Sequence, residues 1–165
     1  MALHPNFPHS PHAVLDPALR WFPEDEALRT TSMDKLMPPL VANLRRKVKE
    51  FRDSGYVGAS GTSRSLLNWW FKTQHLLPQA HEFNYYFAQR EALETLIYLY
   101  DVVGARDKYD LMRFDGSGLV SANMFDETWL RCVIKMATGS GKTKVMSLAL
   151  AWSFFHKLYE PDSGL

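Results

Sequence analysis

The sequence predicts an α/β chain in which a mostly helical N-terminal region runs into a strand, a glycine-rich loop and a long closing helix. Three observations predict it. Apolar residues recur at three- and four-residue steps over Asp34 to Arg52 and again within Phe83 to Tyr100, the spacing of helices with one buried face. A short run of strand formers, Leu130, Cys132, Val133, Ile134 and Met136, comes later. Directly behind it stand Thr138-Gly139-Ser140-Gly141-Lys142-Thr143 and then a helical pattern from Lys144 to Tyr159.

The composition bounds what such a chain can be. At 165 residues it has room for one packed domain with appendages, and 46% hydrophobic with 22% charged residues is ordinary for a globular protein. Nineteen basic against eighteen acidic residues give a net charge of +1, so any polyanion contact has to come from a local patch. Cys132 is the single cysteine, which excludes an internal disulfide; its apolar neighbours predict a buried small residue. Met1 to His12 lacks the basic-then-apolar order of a secretory signal. Val145 to Phe155 falls short of the roughly 20 residues that span a bilayer. The expectation is a soluble, cytoplasmic protein with no membrane partner.

Taken in order, residues 1–33 form an arm in which Pro5, Pro8 and Pro11 interrupt any helix. His4, His9 and His12 lack the carboxylates or cysteines of a metal site, so a mobile arm is the reading. Residues 34–82 form the helical N-terminal region. Its first helix places Leu36, Leu40, Leu44, Val48 and Phe51 on one face, with Arg45, Arg46, Lys47, Lys49 and Arg52 between them, and ends at Ser54-Gly55. A solvated basic face is preferred there over a DNA contact. Gly55 to Ser65 reads as a loop, after which Ser65 caps a short helix whose Leu66, Leu67, Trp70 and Phe71 pack inward; base stacking by its tryptophans is the alternative.

Residues 83–165 open the second region, with a boundary at Pro78 to Glu82. Its first helix, Phe83 to Tyr100, carries Ala92, Leu93, Leu96, Ile97 and Leu99 inward and Gln89, Arg90, Glu91 and Glu94 outward. An irregular stretch from Val103 to Phe125 includes Asp115-Gly116-Ser117-Gly118; no Lys-Thr pair follows, so a surface turn is favoured over a second anion cradle.

The loop at 138–143 is the chemically specific feature. Gly139 and Gly141, lacking Cβ, allow positive dihedral angles that turn backbone amides toward an anion. The loop opens a helix, whose unpaired first-turn amides and dipole favour phosphate. Lys142 brings a full charge to the outer phosphates of a nucleoside triphosphate, and the Thr143 hydroxyl is suited to a magnesium ion bridging them. Thr138, Gly139, Ser140, Gly141, Lys142 and Thr143 are therefore the expected ATP contacts. Met136 stands where the strict pattern has glycine, and a glycine-serine turn preceding Lys-Thr by chance is the plainer alternative.

Met136 to Thr143, together with the segment from Phe83 to Ile97 that contains Gln89-Arg90-Glu91-Ala92, resembles the Res subunit of type III restriction enzymes and related DEAD/DEAH-box helicase-like proteins of superfamily 2. The resemblance runs from about Leu44 onward and includes Gly55 to Phe71 and His156 to Leu165. It implies that residues 83–165 begin a RecA-like P-loop NTPase domain, that Lys142 and Thr143 serve catalysis, and that Gln89 reads adenine. It further implies a DNA-dependent motor ATPase acting on double-stranded DNA beside a methyltransferase subunit. The family's magnesium-binding Asp-Glu pair follows the loop, whereas Asp126-Glu127 precedes it and reads as a polar turn. The chain is thus expected to be an N-terminal fragment that binds nucleotide without DNA-stimulated hydrolysis. A stand-alone nucleotide-binding or docking module is the second reading; a P-loop kinase, whose loop sits nearer the chain start, fits less well.

Overall fold

The computed structural model describes residues 40–118, 120, 121, 123, 126 and 129–164. The expectations for the arm at 1–33, for the first turns of the helix from Asp34, and for Phe125 and Glu127 lie outside the described residues. Helix α1 runs from Val41 to Asp53 and turns Val48 and Phe51 inward. It stops where Gly55 takes a left-handed φ of +74°. There the Gly55 amide donates to the Arg52 carbonyl at 3.1 Å and the Tyr56 amide to that of Phe51 at 2.9 Å, satisfying the last carbonyls of the helix. Tyr56, itself at φ +67°, folds back so that its ring meets Phe51 edge-on at 5.1 Å.

The basic face of α1 is largely spoken for. Arg45 pairs with Glu91 at 3.0 Å, Arg52 with Glu94, Lys47 with Glu50 and Lys49 with Asp53, while Arg46 donates to the Asn43 side chain. Glu94 is fully buried and accepts from Arg52, from Arg90 at 2.8 Å and from the Tyr56 hydroxyl at 2.7 Å. A carboxylate without water needs this many donors, because unpaired burial costs several kcal/mol (roughly). Burial, and then the adjacent Glu94 charge, push the Tyr56 hydroxyl well above its ordinary pKa.

Helix α2, Gly61–Lys72, corrects the sequence reading. It begins four residues before the expected Ser65 cap, because the Ser60 hydroxyl accepts the Ser63 amide at 3.2 Å and starts the helix there. Its Leu67 and Trp70 are buried, as periodicity requires, and Trp69 is exposed. A two-stranded antiparallel hairpin follows, β1 (His75–Leu76) and β2 (Glu82–Phe83), pairing His75 with Phe83 and Leu76 with Glu82. Phe83 therefore belongs to a strand. Helix α3 starts only at Phe87 and runs to Ile97, continuing as a π turn over Tyr98–Val102. Short helix α4 spans Lys108–Met112, capped by Asp107, and helix α5 spans Lys142–Tyr159.

One core joins helices α1, α2, α3 and α5. Phe51, Tyr56, Leu67, Trp70, Leu93, Ile97, Leu148 and Trp152 form it, so residues on both sides of the 82/83 boundary pack together. Leu99, Ala105, Phe114 and Leu130 make a smaller cluster. The expected strand at Leu130 to Met136 is irregular backbone that takes part in no ladder; Trp129 makes a single bridge to Asp107, and the Leu130 amide donates to the Arg106 carbonyl at 3.2 Å. A strand exists only through a neighbour, and among the described residues none lies beside this run. Cys132, expected to be buried, is for the same reason exposed. Among the described residues no helix is long and apolar enough to cross a membrane.

Candidate phosphate-binding loop

Helix α5 carries the loop on its front end. Val145, Leu148, Trp152 and His156 recur at three- and four-residue steps and are its buried residues, fixing which way the helix faces and so where residues 138–143 emerge. Gly139 and Gly141 both adopt φ +79°, the left-handed region that a side chain disfavours, and Gly141 is the residue that caps the helix. The expected geometry of the two glycines is therefore present. Gln89 is brought into the same place: its side-chain nitrogen donates to the Ser140 carbonyl at 3.0 Å.

Within the loop, the Ala137 carbonyl gathers three donors. The Ser140 hydroxyl reaches it at 2.6 Å, the Ser140 amide at 3.3 Å and the Lys142 ammonium at 3.1 Å. Among the described residues, the amides of Thr138, Gly139, Gly141, Lys142 and Thr143 meet no acceptor. The loop thus offers consecutive unpaired donors at the positive end of an 18-residue helix, with an ammonium beside them. Such a group of donors suits an anion. Compared with protein-family models, curated proteins and solved structures, the chain has no match in any of the three.

Thr143 lies exposed on the first turn of α5, one residue from Lys142. A hydroxyl oxygen is among the hard ligands that divalent cations take. Lys144 extends over the Phe83 ring at 5.6 Å, which ties the hairpin to the base of the loop. Asp126 lies on a turn that no hydrogen bond connects to the loop among the described residues.

The rear of α5 is held by polar contacts that sequence reasoning missed. The Trp152 indole donates to the Ser63 hydroxyl at 2.8 Å, His156 stands 3.1 Å from Asp101, and the Thr62 hydroxyl donates to Glu160 at 2.9 Å. His156 also meets the Ser163 hydroxyl at 3.1 Å. Burial raises the Asp101 carboxyl, but hydrogen bonds from the Ser60 amide, Ser63 and His156 outweigh it and hold the group below its ordinary pKa. A serine before a helical run and an aspartate at a helix end were visible as residue types. That they meet each other, Ser60 donating its amide to Asp101, and that Asp101 in turn meets His156 55 residues away, was not.

Proposed function

We propose that this chain binds the phosphates of ATP through residues 138–143 and forms the opening of a RecA-like motor domain of the type III restriction kind. The carrying observation is the loop itself: two left-handed glycines, a run of unpaired amides and Lys142, all at the front of α5. Amide donors match the geometry of phosphate oxygens, and a fixed ammonium supplies the charge that water otherwise screens. Thr143 would hold magnesium, whose charge would draw electron density from the outer phosphates. Lys142 then binds and orients the terminal phosphate.

The α/β part of the reading has its own support. Met146, Leu150, Phe154 and Leu158 recur every four residues on α5 and are exposed, and Val133 and Ile134 in the unladdered run before the loop are exposed as well. A parallel sheet would take both, pairing the unladdered backbone and covering the apolar stripe. DNA as substrate, a methyltransferase subunit as partner, and hydrolysis coupled to movement rest on the resemblance. Helix α1 adds little to the DNA reading, since Arg45 and Arg52 pair with Glu91 and Glu94 of α3 and Lys47 and Lys49 with carboxylates of their own helix.

Equilibrium titration of the 165-residue chain with a fluorescent ATP analogue and magnesium tests the proposal. Binding is expected, and Lys142→Ala should weaken it by about tenfold or more, the scale of one charge-assisted contact. An unchanged affinity in the folded Lys142→Ala protein sinks the reading.

A further inference from the structure

Gln89 combines burial with full engagement. It is 5% exposed; its side-chain oxygen accepts the Tyr86 amide at 3.0 Å, and its side-chain nitrogen donates to the Ser140 carbonyl at 3.0 Å. Reading adenine requires a donor and an acceptor side by side, both turned toward the base. Here both ends of the amide are turned toward backbone, one on its own helix and one on the loop.

The contact also orients the loop. Ser140 and Gly141 share one planar trans peptide, in which carbonyl and N–H point in opposite directions. Holding the Ser140 carbonyl toward Gln89 turns the Gly141 amide to the other side, where it meets no acceptor among the described residues. The approach is close: a Cβ on Gly141 would lie 2.2 Å from the Gln89 side-chain nitrogen. Gly141 is therefore favoured by its φ of +79°, and a Cβ there would have to displace the Gln89 amide.

We infer that Gln89 is a positioning residue of the phosphate loop, and that the site selects its ligand by the triphosphate and not by the base. The inference rests on the triphosphate reading above. It makes ATP one of several acceptable nucleotides, with GTP bound through the same cradle.

Fluorescent ATP and GTP analogues titrated into the full chain, each competed with inorganic tripolyphosphate, provide the test. The two nucleotides should bind within about threefold of each other, and tripolyphosphate should displace both. Gln89→Ala and the near-isosteric Gln89→Glu should weaken all three ligands by a common factor, about three- to tenfold, as the loss of one buried hydrogen bond allows. Thermal melts establish that each variant is folded. Gly141→Ala should also lose affinity, and adding Gln89→Ala should relieve the clash, so that the double variant loses less than the product of the single losses. A tenfold or larger preference for ATP that Gln89→Ala erases would overturn the inference while leaving the triphosphate reading intact. Strictly multiplicative losses in the double variant would also overturn it. Failure of all three ligands to bind the folded parent chain removes the triphosphate reading, and this inference with it.

Discussion

The two ends of helix α5 are built differently. Its rear is anchored by Trp152 and His156 in the core and by Glu160 on Thr62, with polar groups paired and water excluded from the buried ones. Among the described residues, its front leaves amides unpaired and an ammonium exposed, with the Gln89 side chain reaching in from outside the loop. A helix held at one end can present the other as a donor array without that array contributing to the stability of the fold. Stability and binding should therefore separate along this one element.

The largest separation is expected at Trp152. Its ring lies in the core and its indole donates to Ser63, so Trp152→Ala should lower the unfolding free energy by about 3–5 kcal/mol. Urea unfolding measures it; a loss under about 1 kcal/mol would mean that the rear end is not the anchor. Ser60→Ala should cost about 1 kcal/mol, because the amide that Ser60 caps at the start of α2 loses its acceptor. An effect of that size at Ser65 in place of Ser60 would return the helix start to the position that the sequence suggested.

A smaller effect concerns acid. The Asp101 carboxyl is held below its ordinary pKa in the folded chain, so its contribution is present above the unfolded value of about 3.9. It is lost as pH falls through the folded value. Unfolding measured at pH 5 and at pH 3 should show less acid sensitivity in Asp101→Asn than in the parent, a comparison that separates Asp101 from Asp110 and Asp115, which are also held low. Equal sensitivity in the two proteins would remove Asp101 from the anchor.

The smallest change in stability is expected at the front. Lys142→Ala should shift the unfolding free energy by less than about 0.5 kcal/mol, since the side chain is exposed and donates only to the Ala137 carbonyl. A large destabilisation there would mean that the loop is part of the structural anchor and would undo the comparison between the two ends.

Much of the helical architecture could be read from periodicity. Val48 and Phe51, Leu67 and Trp70, and Leu93 and Ile97 were expected inward and are buried. Element starts were read less well. Ser60 and Ser65 offer the same hydroxyl chemistry five residues apart, and local sequence does not say which of them finds an amide. Phe83 was assigned to helix because its apolar neighbours fit a helical period, yet pairing with His75 across the hairpin makes it strand.

The sequence by itself determined the backbone geometry of the loop at 138–143, because positive dihedral angles at Gly139 and Gly141, and a lysine opening a helix, are local requirements that residue type answers. Which residues of α5 face the core it left open, because Met146, Leu150, Phe154 and Leu158 are as apolar as the buried Val145, Leu148 and Trp152 and are exposed. Tertiary structure decided everything that depends on a second segment. Leu130 to Met136 became an unladdered run in place of a strand, because hydrogen-bonded pairing needs a neighbour that residue type cannot supply. Glu94, expected on an outer face, became a buried carboxylate because Arg52 and Tyr56 arrive from 42 and 38 residues away. Gln89, expected on an outer face, is buried against the loop for the same reason: its partner, the Ser140 carbonyl, lies 51 residues along the chain, and only the packing of α5 against α3 brings the two together.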